Sequence, residues 1–321
     1  MAEQSSMKIP ATNRKIVLAG GAGLVGQNLV ARLVSGGYHN IVVLDKQEKN
    51  LQVLKQQHSG VITVSADLAV KGSWMALFEG ADTVVILQAQ ISANHRDVFQ
   101  RNTVETTQLV LDAVKTHHVP YIVHISSSVL NSMADDDYVQ SKKIQEEMVL
   151  ASGVDCIVLR PTLMFGWFDR KHLGWLARFM QNVPIFPIPG SGRYLRQPLY
   201  VGDLCAIIVK CIEKRNGGVF NVTGLEQVDY VDIIALIKRT IKAKAVICHI
   251  PVWLFARLLR VWAVFDSNPP FTVAQLNALL LPDVFEVIDW PGIFGVTPTP
   301  FVKAVEQTFR DPVYSKIELE F

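Results

Sequence analysis

Tyr138 and Lys142 stand four residues apart, shortly after the serine cluster Ser126–Ser128 that ends an apolar run. On a helix this spacing puts both side chains on one face. A free tyrosine has a pKa of about 10 and is a poor base at neutral pH. An ammonium beside it, together with the positive N-terminus of a helix, stabilises the phenolate and lowers that value. Asp135–Asp137 are good N-cap and first-turn residues, so a helix is expected to begin near Tyr138. Their carboxylates oppose the lysine unless they point to solvent. A serine at the end of the preceding strand could then hold a substrate hydroxyl while Tyr138 takes or returns its proton. A surface tyrosine and a solvated lysine on a capped helix would share the same spacing, so the chemistry needs a partner elsewhere in the chain.

That partner is indicated upstream. The apolar run KIVLA (15–19) leads straight into GGAGLVG (20–26) and then into the helical NLVARLV (28–34). Gly20 suits a tight turn, Gly23 lets backbone approach a pyrophosphate, and Gly26 permits close helix packing. The helix N-terminus, at Leu24 and Val25, offers free N–H groups and a favourable dipole. Asp45 ends the second apolar run, where a carboxylate can accept both ribose hydroxyls and repel a 2′-phosphate, favouring NAD over NADP. Lys46 softens that preference, and Asp45 also fits a strand-end turn role. Asp67, followed by Leu68, has the same choice between a turn and the adenine.

The elements that must position these groups follow a regular pattern. KIVLA, IVVLD (41–45), VITVS (61–65), DTVVIL (82–87), YIVHIS (121–126) and DCIVLR (155–160) are short and rich in Val and Ile. Such runs fit strands buried on both faces of a parallel sheet, and the segments between them are long enough for crossover helices. The expected fold is α/β, a doubly wound parallel Rossmann sheet with a smaller interleaved C-terminal substrate lobe. The expected organisation is a flexible tail over 1–13, a dinucleotide-binding domain over 14–165 with late sheet elements from 199–224, and a lobe from 166–198 and 225–321. Within the lobe, VPIFPIPGSGRYLRQP (183–198) reads as a structured surface loop.

Composition narrows the function classes. Lys+Arg exceeds Asp+Glu by only 31 to 29 and no basic block occurs, so no nucleic-acid partner is expected. Cys156, Cys205, Cys211 and Cys248 form no CxxC pair and read as small buried hydrophobes of a reducing compartment, with no metal site expected. The polar start MAEQSSMKIPATNRK lacks a signal-peptide core, and a cytoplasmic location is expected. PVWLFARLLRVWAVF (251–265) is too short to span a bilayer and is interrupted by Arg257 and Arg260. It reads as an amphipathic helix packed on the protein or a partner, with a peripheral membrane contact as the alternative.

GGAGLVG, Asp45, SADL, VVILQAQ, RNTVETTQLV, HISSS, YVQSK, VLRPTLMFG and RQPLYVGDL occur in the order found in extended short-chain dehydrogenases/reductases. Over most of residues 14–225 the chain resembles their NAD-dependent epimerase/dehydratase group. The resemblance implies catalysis by Ser128, Tyr138 and Lys142, with Ser127 as the alternative hydroxyl. It implies that Leu87, Ala89 and Gln90 line the NAD cleft, that Asn102 contacts the fifth strand and active site, and that Pro161 and Leu163 lie beside the nicotinamide. It places a diphosphate-binding arginine at Arg196, with Arg193 nearby, and implies a small-molecule substrate such as a nucleotide sugar. The family's usual homodimer would use helices around Asn102–Lys115 and Tyr138–Ala151.

Three departures qualify the resemblance. Nine residues separate Ser128 from Tyr138, fewer than in typical sugar epimerases. Val129 and Leu130 follow Ser128 in place of the Asp-Glu pair of sugar 4,6-dehydratases, which disfavours water elimination. A second diphosphate arginine has no counterpart in the tail, which instead resembles bacterial relatives of the complex I nucleotide-binding accessory subunit. The expected activity is NAD-dependent oxidoreduction or epimerisation, the alternatives being a non-catalytic NAD(H)-binding module and a reductase of a lipid-like hydroxyl.

Overall fold

Val and Ile runs between helices become strands because β-branched side chains pack well on a pleated surface buried from both sides. The computed structural model describes residues 11–91, 93, 95–131, 136–265, 271–281 and 284–320. The expected tail through residue 10, and Asp135 of the acidic cap, lie outside the described residues. Seven parallel strands form the main sheet: β1 (Ile16–Ala19), β2 (Ile41–Asp45), β3 (Ile62–Ser65), β4 (Thr83–Ile86), β5 (Tyr121–Ile125), β6 (Asp155–Pro161) and β7 (Gly218–Val222). All residues of β1, β4 and β5 are buried, whereas β3 at the sheet edge is partly open.

The spatial order is β7-β6-β5-β4-β1-β2-β3. The chain winds outward from β1 through β3 and then returns to place β4 against β1. The crevice at the C-terminal ends of β1 and β4 is therefore the topological switch point, where open α/β sheets bind ligands.

One face of the sheet is covered by α1 (Leu24–Ser35) and α6 (Val201–Lys214), whose Leu29, Leu33, Leu204 and Ile208 join a core with Val43, Val123 and Trp290. Between them in the chain lie α2 (Glu48–Gln57), α3, α4 (Asp137–Leu150) and α5 (Leu173–Asn182). The α3 segment starts as Arg96–Phe99, widens into a π-helical stretch over Gln100–Glu105, and continues as a regular helix over Thr106–Thr116. Its Val110, Leu111 and Val114 pack on the opposite face of the sheet with Trp74, Phe78 and Ile122.

Beyond the sheet stand α7 (Tyr230–Ile241), α8 (Val252–Phe265), α9 (Val273–Leu280), α10 (Trp290–Phe294) and α11 (Phe301–Arg310). Three observations here differ from the sequence reading. Residues 183–198 are not a loop throughout: Ile185–Pro189 pairs in parallel with Val246–Ile250, and Leu195–Arg196 pairs antiparallel with Val228–Asp229. The prolines are tolerated because these are two-stranded ribbons, in which a missing N–H can face away from the partner. Cys248 lies exposed on such a ribbon, although Cys205 and Cys211 are buried. Finally, α8 packs only one stripe on the protein: Leu259 is buried and Val252, Leu254, Phe255 and Ala256 are half-buried, while its other apolar side chains are exposed.

Candidate active site at the switch point

The glycine loop closes because at Gly20 and Gly26 backbone stands where a side chain would be. Gly20 has φ +77°, and a Cβ on it would lie 2.6 Å from the backbone of Gln88, just past β4. A Cβ on Gly26 would lie 2.1 Å from the Gly21 carbonyl oxygen, so only glycine lets α1 begin this close to the turn. Gly23 is different: it is the N-cap of α1, no side chain caps the helix there, and a Cβ on it would meet nothing within 4 Å. The helix start at Leu24 and Val25 therefore has uncapped N–H groups beside open space at Gly23, an arrangement that suits an anion.

Asp45 is aimed at the same crevice. Its carboxylate accepts from the Ala22 N–H at 2.9 Å and the Gln47 N–H at 3.0 Å, which fixes its orientation beside the loop. Each oxygen keeps a further lone pair for a hydroxyl. Asp67 accepts from the Ala69 N–H at 3.1 Å and pairs with Arg101 at 2.5 Å. Burial pushes its carboxyl up, but the Arg101 and Ala69 hydrogen bonds outweigh this and hold it below its ordinary range. Leu68 is buried beside it.

Across the crevice, Leu87, Ala89 and Gln90 are half-buried after β4. Gln90 is held from both ends, its N–H donating to Thr103 Oγ1 at 3.0 Å and its Oε1 accepting from Asn102 Nδ2 at 2.8 Å. Asn102 sits in the π-helical stretch, a distortion that recurs at functional sites.

The proton-transfer candidates converge at the C-terminal end of β5. Asp136 caps α4, its carboxylate accepting from the Val139 N–H at 2.9 Å, which sets Tyr138 in the first turn. The Ser127 side chain is the polar neighbour that favours the Tyr138 phenolate, whereas Ser128 is buried at the head of the short 3-10 turn Ser128–Asn131. Burial raises the Tyr138 phenol above its ordinary value; Ser127 opposes this and Asp136 adds to it.

The expected lysine effect on the phenol is not the arrangement observed. Lys142 points inward, its Nζ donating to the Ile125 carbonyl at 3.0 Å and to Gln145 Oε1 at 2.5 Å. Burial lowers its pKa to about 7, with Glu146 opposing. Helical spacing aligned the two residues, but the lysine's long stem reaches under the helix toward β5.

Several supporting residues were not singled out by the sequence. Gln145 donates to Thr107 Oγ1 at 2.9 Å and to the Gln88 carbonyl at 3.0 Å, tying α4 to α3 and the β4 crevice. Glu146 forms a two-point pair with Arg160 of β6, one contact being 3.0 Å. Arg160 also donates to Asn131 at 3.3 Å, and Asn131 to Asn221 of β7 at 2.9 Å, so the serine turn is anchored to the sheet. Gln145 and Glu146 lie three and four residues after Lys142, the one signal that places them on its face.

Pro161 is buried and Leu163 is 38% exposed at the end of β6. The arginines lie apart from the serine turn, in the lobe. Arg193 pairs with Asp229 at 3.2 Å, and Arg196 donates to the Leu281 carbonyl at 2.6 Å and to that of Leu279.

A model of the NAD dependent epimerase/dehydratase family matches residues 16–223. The chain belongs to that family. It is 26% identical over 245 residues to a dTDP-glucose 4,6-dehydratase of Actinoplanes sp., covering 65% of this chain and 76% of that one. It is also 26% identical over 255 residues to 4-hydroxy-2-methyl-3-oxo-4-farnesyl-3,4-dihydroquinoline-1-oxide ketoreductase of Stigmatella aurantiaca, covering 73% and 75%. Among solved structures, a UDP-N-acetylglucosamine 4-epimerase from Methanobrevibacter ruminantium, in complex with UDP-N-acetylmuramic acid, superposes with a TM-score of 0.72. That match spans 93% of this chain and 97% of the other at 16% identity, a likeness of fold.

The protein is an NAD-dependent enzyme of the short-chain dehydrogenase/reductase type. The donor set fits the cofactor: uncapped helix N–H groups beside Gly23 suit its pyrophosphate, and the oriented Asp45 carboxylate suits ribose hydroxyls.

Proposed function

We propose that this protein is an oxidoreductase or epimerase acting on a nucleotide-activated sugar or a similar hydroxyl substrate, with Tyr138 as acid and base. The placement of Tyr138 in the capped first turn of α4, with the serine turn following β5 and the glycine loop at the switch-point crevice, carries the reading. Bound NAD supplies a hydride acceptor and donor at the reacting carbon. Tyr138 moves the proton on the reacting oxygen, and the Ser127 and Ser128 hydroxyls hold that oxygen. Lys142 orients the nicotinamide ribose; Asp45, Asp67, Asn102, Gln90, Pro161 and Leu163 complete the cofactor cleft.

Burial that keeps the phenol protonated suits it to returning a proton as a carbonyl is reduced, and favours the oxidative direction at higher pH. A homodimer through α3 and α4 and a cytoplasmic location belong to the same proposal. Among the described residues no helix is long and apolar enough to cross a membrane.

A lipid-like hydroxyl or carbonyl substrate is the second reading. It is favoured because Arg193 and Arg196 are engaged within the lobe, while the lobe presents apolar surface. Steady-state assays of wild type and Tyr138→Phe, with NAD and with NADH, over a panel of nucleotide sugars and apolar ketones and alcohols, test both. The first reading expects turnover of a nucleotide sugar that falls by about 10²–10⁴ in the variant. Turnover confined to apolar substrates would select the second. NAD binding without turnover anywhere would leave a non-catalytic NAD(H)-binding module.

A further inference from the structure

α8 is composed in a way that its own protein does not use. Of its fourteen residues, Val252, Phe255, Ala256 and Leu259 form the stripe that turns toward the protein, spaced as one helix face. Leu254 is half-buried, and the remainder faces water: Trp253 is 62% exposed, Val264 80% and Phe265 85%, with Leu258, Val261 and Trp262 also exposed. In the ribbon that precedes the helix, Val246 and its partner Ile185 are exposed as well. Contiguous apolar exposure of this kind marks an interaction site.

We infer that α8 seats the protein on the surface of an anionic lipid bilayer. Charge selects this occupant. From Ile233 to Phe265 the chain has no Asp or Glu but carries Lys238, Arg239, Lys242, Lys244, Arg257 and Arg260, although the whole chain is nearly balanced at 31 basic to 29 acidic residues. Arg257 and Arg260 are exposed within the apolar patch itself. Protein–protein interfaces also favour arginine and aromatic side chains, so the choice of occupant rests on the unopposed positive charge of the whole segment. At a bilayer the same arginines can lay their stems along apolar surface and reach lipid phosphates with the guanidinium fork. Arg257 already lies 5.8 Å from the centroid of the Trp253 ring, and tryptophan favours the headgroup boundary. At about 1.5 Å per residue the helix is roughly 21 Å long, short of the ~30 Å hydrocarbon core, so it lies in the interface.

The inference is independent of the substrate reading, because it concerns a surface outside the switch-point crevice. Its test is sedimentation of the full chain with vesicles of phosphatidylcholine alone and of phosphatidylcholine containing about 30% phosphatidylglycerol. Binding is expected to the anionic vesicles, weakening with added salt. The double variant Arg257→Gln/Arg260→Gln should weaken it about thirtyfold. Val264→Glu/Phe265→Glu should abolish it, and both variants should keep wild-type NAD affinity, showing that they fold. Failure of the wild type to sediment with either vesicle, or equal binding by wild type and variants, overturns the inference. So does light scattering in which the apolar variant converts a dimer to a monomer while lipid binding is absent, which would assign the face to a second copy.

Discussion

On the inner face of α4, Lys142, Gln145 and Glu146 each hydrogen-bond another group of the site, whereas on α8 large apolar side chains stand in water. The two helices are equally long, at fourteen residues each, but obey different constraints. A buried polar or charged group without a partner loses its hydration with nothing in return, so the α4 network had to be completed within the fold. An exposed apolar side chain loses nothing relative to the unfolded chain, so α8 can remain uncovered until something else covers it. The α4 side is therefore a self-contained positioning device, and α8 is a surface whose composition points outward.

The sharpest challenge to this contrast is at the glycine loop. Gly26→Val places a branched side chain against the Gly21 carbonyl, and overpacking of about 1–3 kcal/mol predicts a loss of NAD affinity of up to about two orders of magnitude by calorimetry. Gly23→Ala is the control: its Cβ meets nothing within 4 Å, so thermal stability should hold while NAD affinity falls. If both variants bind NAD normally, the loop does not hold the cofactor.

Breaking the Glu146–Arg160 pair comes next. Glu146→Ala leaves the partly exposed Arg160 without its carboxylate partner and should cost about 1–3 kcal/mol in urea unfolding. Burial pushes the Glu146 carboxyl up, but Arg160 outweighs it and the net value lies below the ordinary one. Its contribution is therefore complete above about pH 4.3 and is lost as pH falls through the lowered folded value. The difference between wild type and variant should shrink in acid; a constant difference would show that the pair is not electrostatic.

Lys142 gives the opposite slope. Its folded pKa of about 7 lies below the unfolded value of about 10.4, so the unfolded state holds more protons between them. Wild type should gain stability relative to Lys142→Met as pH rises from 7 toward 10, by up to about 1.4 kcal/mol per unit. A flat difference would mean that the ammonium is not desolvated. The smallest effect is expected in the lobe, where Arg193→Ala removes an exposed pair with Asp229 and should change stability by less than ~1 kcal/mol in the same titration.

Much of the sheet was legible because its strands are buried on both faces and leave uninterrupted Val/Ile runs. The glycine loop was legible because its spacing has a backbone cause, visible at Gly20 and Gly26. The helix carrying Tyr138 was legible from its acidic cap, although the capping residue is Asp136. Ser127 was not separable from Ser128, because adjacent turn residues aim their hydroxyls differently and spacing along the chain does not record which way. The Arg160–Asn131–Asn221 anchor was invisible, since it joins residues of three distant segments.

What the sequence determined by itself was local and periodic: the alternation of strand and helix, the glycines of the first turn, the cap of α4, and the length of α8. The tertiary structure decided the rest. Lys142 turned inward because a carbonyl of β5 and Gln145 were there to receive it, and among the described residues α8 meets its neighbours along one stripe only. Hydrogen-bond partners and burial depend on which distant segments meet, and spacing along the chain carries no direct record of that.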